Sequence, residues 1–298
     1  MKQIVEDYSL DILNIQKSFD IAAEEYDQFA ILQHTVTDRL FESFEQFRIN
    51  PALILDLGSG TGYGAKKLKE RFKKAKTVQL DLSSSMLKKS RKKSSRFFSR
   101  DRFLCADAHN LPLSDKSVDL VFSSLMLQWC NDPAAVFSEI KRILKPEGLL
   151  LFSTFGPDSL KELRESWRAA DEKIHVNAFI DMHDVGDALI RNGLDAPVLN
   201  VEHLVFTYDD CQALMKDLKN IGAQNINKGR RKTLTGKNRL MKMLNYYESF
   251  RKENKLPATY EIIYGHAWRP ARESLLKTND ASIGLEDLKK QLTDHRKR

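Results

Sequence analysis

The stretch Leu53-Ile54-Leu55-Asp56-Leu57-Gly58-Ser59-Gly60-Thr61-Gly62 constrains this chain more than any other. It reads as a buried strand that runs into a glycine turn and opens a helix. Glycine accepts positive φ and lets a ligand approach the main chain, while the free N–H groups of a helix start favour a carboxylate or phosphate. The turn therefore predicts a ligand with an anionic end. Spacing narrows the choice. In a dinucleotide fingerprint the third glycine would fall on Tyr63, whereas the glycines here are Gly58, Gly60 and Gly62, and no Gly-Lys-Ser/Thr triplet follows. Both NAD and a nucleoside triphosphate become weaker readings.

Further strand-to-helix steps follow. Thr77-Val78-Gln79-Leu80-Asp81 reads as a second strand ending in a carboxylate about 25 residues after Asp56, near the roughly 20 expected for an acid that binds ribose hydroxyls. The alternative for Asp81 is a helix N-cap, although Ser83, Ser84 and Ser85 stand closer to the helical Met86-Leu87. Arg102 to Ala106 and Val118 to Phe122 read as strands three and four, the first followed by Asp107-Ala108 and the second by Ser123-Ser124-Leu125 and Gln128-Trp129. A helix from Pro133 to Lys145 closes at Pro146-Glu147-Gly148 before a fifth strand, Leu149 to Ser153. A helix from Asp184 capped at Gly193 feeds a strand from Val198 to Phe206, and Thr259 to Gly265 reads as the last.

The organisation predicted is an N-terminal helical lid over 1–50, a ligand-binding α/β core over 51–207 and an inserted helical cap over 208–257. The last core strand spans 258–270, and a charged tail over 271–298 is expected to be flexible. The cap holds two helical patterns, Asp209 to Ile221 and Lys237 to Glu253, around a basic piece from Asn225 to Thr235; the tail carries one weak amphipathic piece, Leu285 to Leu292. At 298 residues, 42% hydrophobic and 30% charged, the chain can bury one main core. No run reaches the ~18 apolar residues of a membrane helix, and Met1 to Asp7 lacks the apolar stretch of a secretion signal, so a cytoplasmic location is expected. Cys105, Cys130 and Cys211 are far apart, which predicts reduced thiols and no metal site.

The glycine turn with these strand-end carboxylates resembles the class I S-adenosylmethionine methyltransferases. That resemblance implies a Rossmann-like α/β fold with a seven-stranded, mostly parallel sheet, helices on both faces and a helical cap inserted before the last strand. It implies S-adenosyl-L-methionine held by Asp56, Gly58, Gly60, Asp81, Leu82, Met86, Asp107, Ala108, Ser124 and Leu125. Asp56 would sit beneath the cofactor's amino acid, and Asp107 would face its adenine amino group, with a plain polar loop aspartate as the alternative. In the lid, Tyr26 would point its hydroxyl toward the cofactor carboxylate with Gln33 assisting, or both would simply pack or cap locally.

More distal pieces resemble a narrower family. Phe155-Gly156-Pro157-Asp158-Ser159-Leu160, His175-Val176-Asn177, Asp181-Met182-His183-Asp184, Leu234-Thr235-Gly236-Lys237 and Leu256 to Pro270 are similar to BioC, the malonyl-acyl-carrier-protein O-methyltransferases of biotin synthesis. The resemblance covers roughly Phe19 to Pro270 and implies methylation of a free malonyl carboxylate on acyl carrier protein. A mitochondrial respiratory complex I assembly factor that hydroxylates an arginine on a partner shares the Pro-Ala-Thr-Tyr segment, and it supplies the alternative, along with a methyltransferase for another small carboxylate. The acceptor would be gripped by a basic or donor residue among His175, His183, Arg230, Arg231, Lys237, His266 and Arg269, with His183 and Arg230 favoured and Tyr26 alongside them as catalytic candidates.

The formal net charge of +7 concentrates in Lys88-Lys89-Ser90-Arg91-Lys92-Lys93 through Arg96, Arg100 and Arg102. Such a face suits an acidic carrier protein or a polyanion in general, or it is only a solvated helix face. The chain has no nucleic-acid-binding module, and Ser123-Ser124-Leu125 is not the Asn/Asp-Pro-Pro-Tyr/Phe signature of a base methyltransferase, which disfavours nucleic acid. Composition is silent on oligomeric state.

Overall fold

The computed structural model describes residues 9–94, 101–230 and 236–272. Arg96 and Arg100 of the basic run, Arg231, Leu234-Thr235 and the amphipathic piece Leu285 to Leu292 lie outside the described residues.

The chain enters through three helices, α1 (Ile12–Ala22), α2 (Tyr26–Phe29) and α3 (Ile31–Glu42). Asp11 starts α1 because its carboxylate accepts the otherwise unpaired amides of Leu13 and Asn14. Then strands and helices alternate: β1 (Leu53–Leu57), α4 (Tyr63–Arg71), β2 (Lys76–Asp81), α5 (Ser84–Lys93), β3 (Arg102–Cys105), β4 (Val118–Ser124) and α6 (Pro133–Ile143). After these come β5 (Leu144–Phe155), α7 (Lys161–Ala170), α8 (Met182–Arg191), β6 (Asp195–Tyr208), α9 (Cys211–Asn220), α10 (Lys237–Glu248) and β7 (Leu256–Trp268).

The seven strands form one sheet in the order β3-β2-β1-β4-β5-β7-β6. Strands β1 to β5 run parallel, and β7 slots antiparallel between β5 and β6. This is the mostly parallel, seven-stranded α/β sheet expected. The inner strands are continuous apolar runs because helices cover both faces: Leu55, Leu57, Val121 and Phe137 pack in one cluster, and Leu40, Phe44, Ile54, Leu68 and Phe122 pack in another. A third cluster ties the later helices to the first ones, with Leu32 and Val36 of α3, Leu214 of α9 and Met243 and Tyr247 of α10 packed against Tyr260 and Ile262 of β7.

Two boundaries differ most from the sequence reading. Strand β5 begins at Leu144, directly after α6, although Pro146-Glu147-Gly148 is a real interruption: the register steps from Val118 opposite Leu144 to Leu120 opposite Leu149, so the segment bulges out of the ladder. Helix α10 stops at Glu248 and not at Glu253. There the Arg251 guanidinium gathers the Glu248 carboxylate and the carbonyls of Asn254 and Asp209, which holds a tight reversal into β7.

Candidate active site

Parallel strands present their carboxyl ends along one edge of the sheet, where ligands of open α/β folds bind. Here that edge opens into a deep cavity roofed by α1 to α3 and by the segment after α9. Its floor is the glycine turn. The amides of Gly58 and Ser59 both donate to the Leu80 carbonyl, at 2.8 and 3.0 Å, so the turn is tied to the end of β2. Gly62 adopts φ +87°, and a Cβ there would lie 2.1 Å from Ser90 Oγ, which leaves no room for any other residue.

Asp81 stands at the centre of this floor. One carboxylate oxygen accepts the Gly60 amide at 2.8 Å and the other accepts the Ser83 amide at 2.8 Å. The N-cap role belongs to Ser83, whose hydroxyl accepts the Met86 amide. Burial raises the Asp81 carboxyl to about 6, although its amide partners oppose the shift. Asp56, at 3% exposure, is raised to about 8 by burial and then by the nearby Asp81, so near pH 7 it is mainly protonated. Burial and the charges of Asp81 and Asp27 also hold the Tyr26 phenol well above its ordinary value, so it stays a hydroxyl donor.

All the residues expected to hold the cofactor line this one cavity. Tyr26 and Gln33 reach it from the lid; Asp56, Gly58 and Gly60 come from the first turn, and Asp81, Leu82 and Met86 from the second. Asp107 and Ala108 follow β3, and Ser124 and Leu125 end β4. Four buried polar atoms of cavity-lining residues, Gln33 Oε1, His34 Nε2, Asp56 Oδ2 and Ser59 Oγ, have no hydrogen-bond partner in the protein. Buried polar groups are rarely left so, which marks this cavity as shaped for a polar ligand. His34, a residue the sequence reading missed, stacks on Tyr63 at 3.9 Å, and burial lowers its pKa. Its only sequence signal was its place beside Gln33.

The acceptor candidates separate. His183 is 85% exposed at the start of α8, bonded to its own helix cap Asp181 at 2.8 Å, and does not line the cavity. Arg230 also lies off the cavity, where its guanidinium donates to the Asn227 carbonyl at 3.4 Å. His266 packs edge-on against Phe47, and the buried Arg269 donates to the carbonyls of Lys141, Arg142 and Leu144. Lys237 is exposed on the first turn of α10. His183 and Arg230, the residues expected to grip the acceptor, thus stand outside the lining of this cavity, His183 exposed and Arg230 half-buried.

His175 is the candidate that does line the cavity. It stands with Phe155, Leu160, Leu163, Phe179 and Tyr260 in an apolar chamber continuous with the glycine floor. Its Nε2 lies 2.7 Å from Asp171 Oδ1, and its ring lies flat on Trp167, 3.8 Å between centroids at 6°. Burial raises the Asp171 carboxyl, but the Lys173 amide, His175 and Arg239 outweigh it, so its pKa is lowered.

The basic face is partly committed. Lys89 pairs with Glu24 and Lys93 with Asp27, which also accepts the Thr61 hydroxyl at 2.5 Å, so α5 clamps the lid onto the glycine turn. Lys88, Arg91 and Lys92 are exposed. No helix among the described residues is long and apolar enough to cross a membrane.

The family described as methyltransferase domain matches residues 55–152. The chain is 48% identical over 268 residues to malonyl-[acyl-carrier protein] O-methyltransferase of a Methylovorus species, covering 88% of this chain and 90% of that protein. It is 47% identical over 290 residues to the protein of the same name from Laribacter hongkongensis, covering 95% and 98%. Among solved structures, the YcgJ protein of Bacillus subtilis is similar in fold, with a TM-score of 0.58 at 15% identity over 80% of this chain and 99% of that one. Cavity, fold and kinship agree, and the chain belongs to the malonyl-[acyl-carrier protein] O-methyltransferase family of S-adenosylmethionine-dependent methyltransferases.

Proposed function

We propose that this protein methylates the free carboxylate of a malonyl group carried on acyl carrier protein, the step that masks the acid for assembly of the pimeloyl chain of biotin. The observation that carries this reading is the continuity of one cavity from the glycine floor to the apolar chamber.

The floor suits S-adenosyl-L-methionine. Asp81 would meet a ribose diol as a two-oxygen acceptor, Asp107 would serve the adenine, and Tyr26 would offer its hydroxyl with Gln33 to the amino-acid end, all from the lining of this cavity. The partnerless atoms of Gln33, His34, Asp56 and Ser59 would provide further donors and acceptors to a zwitterionic group. When bound, the cofactor supplies a methyl group on a positively charged sulfur.

A malonyl carboxylate is already ionised near pH 7, so its oxygen can form the new O–C bond without a general base. The pair of the broken C–S bond would stay with sulfur, and no proton need move. The protein's contribution is placement. Phe155, Leu160, Leu163, Phe179 and Tyr260 exclude water from the acceptor, which strips hydration from the attacking oxygen. Methylation cancels a negative charge, so the ester can pass as an ordinary acyl primer.

Incubation of purified protein with methyl-labelled cofactor and malonyl-acyl-carrier protein tests the reading. Base-labile label on the malonyl carboxylate is expected. Retained cofactor binding with no such label overturns it.

A further inference from the structure

A malonyl carboxylate entering the apolar chamber loses its water and needs a donor in exchange. Among the chamber's residues, His175 is built as that donor. Asp171 holds Nε2 at 2.7 Å, so Nε2 keeps its proton toward the carboxylate and Nδ1 is the nitrogen left for the cavity. Asp171 is itself fixed by the Lys173 amide at 3.0 Å and faces Arg239 of α10 at 3.9 Å. The Trp167 face stacked on the ring restrains its tilt.

We propose that the His175 imidazolium receives one oxygen of the acceptor carboxylate through Nδ1–H, with Asp171 and Trp167 as positioning residues. The assignment rests on the methyl-transfer reading above. One oxygen bonded to His175 leaves the other free to attack, and a single donor quenches its nucleophilicity less than a bidentate arginine clamp would. Once the ester forms, the charge that His175 held is gone. The same contact therefore favours substrate over product and lets the product leave.

Among the described residues, Asp171 at the end of α7 pairs with the ring and Arg239 of α10 lies 3.9 Å from the other oxygen of that carboxylate, while Glu172 and Lys173 beside them are exposed. Asp171 supports the imidazolium, and Arg239 restrains Asp171 more than it repels the ring, since it lies on the carboxylate's far oxygen.

Steady-state kinetics of His175→Gln and Asp171→Asn, with calorimetry of S-adenosylhomocysteine, test the assignment. His175→Gln should raise KM for the malonyl substrate roughly 10- to 100-fold, the range of a lost charge-assisted hydrogen bond, with a smaller change in kcat and an unchanged cofactor Kd. Asp171→Asn should raise KM for the malonyl substrate several-fold with kcat and the cofactor Kd little changed, and Asp171→Glu should recover most of that loss, a split and a rescue that a purely structural role would not give. An unchanged KM in His175→Gln or in Asp171→Asn overturns the assignment. So does a cofactor Kd that worsens in step with KM. Should His175→Gln fail to fold, the split in Asp171→Asn and its recovery in Asp171→Glu decide. A wild-type protein that leaves the malonyl group unlabelled overturns the methyl-transfer reading and this assignment with it, whereas a labelling wild type with an indifferent His175→Gln removes the assignment alone.

Discussion

Asp81 accepts the amide of Gly60 at 2.8 Å, so the carboxylate that ends β2 also braces the turn that follows β1. Two neighbouring strands thereby share one anchor, and the glycine turn has its ligand-ready shape before any ligand arrives. Its second oxygen does the same for the start of α5 through Ser83.

Asp81→Ala should therefore fail twice, by removing the acceptor for a ribose diol and by releasing the Gly60 and Ser83 amides. Cofactor affinity should weaken by on the order of 1 to 3 kcal/mol, as for unpaired buried donors. Titration calorimetry with S-adenosylhomocysteine checks this, and an unaltered affinity would remove Asp81 from the site.

Asp56 makes the cofactor-free protein sensitive to pH. Its carboxyl sits at about 8 in the fold against an ordinary value of 3.8, because burial penalises the charge. Between those values the folded state holds a proton that the unfolded chain has lost. The contribution is therefore complete in acid and fades as pH rises toward 8, at about 1.4 kcal/mol per pH unit for one proton. Asp56→Asn keeps an acceptor for the Ala65 amide but has no proton to lose. Its advantage over the wild type should grow from pH 5 to 8 and then level off, as read from paired urea melts.

Arg269 was among the candidate grips, and the structure makes it a splice. Its guanidinium, on a residue 5% exposed, gathers three carbonyls around the junction of α6 and β5. Arg269→Leu should cost ~2 to 4 kcal/mol of stability by leaving those carbonyls unpaired, with cofactor affinity little changed. A lost affinity at unchanged stability would contradict the structural role.

The local chain determined a good deal. The glycine turn, the strand-end carboxylates Asp56 and Asp81 and the helices on either side are each set by a few adjacent residues, whose periodicity and punctuation act over one or two turns. Parallel strands then bring their carboxyl ends together, so Asp56, Asp81, Asp107 and Ser124 meet at one edge without further instruction. The acceptor side had no such local rule. His175, His183 and Arg230 are equally basic or polar in the sequence, and only the packing of α7 against α10 and the path of the chain from Ala170 to Asp181 turn His175 into the cavity while His183 faces solvent. The antiparallel entry of β7 between β5 and β6, which brings Tyr260 beneath the chamber, was likewise a tertiary decision. Side-chain direction at such positions depends on helix rotation and on contacts between residues far apart in the chain, and no short stretch of sequence encodes either.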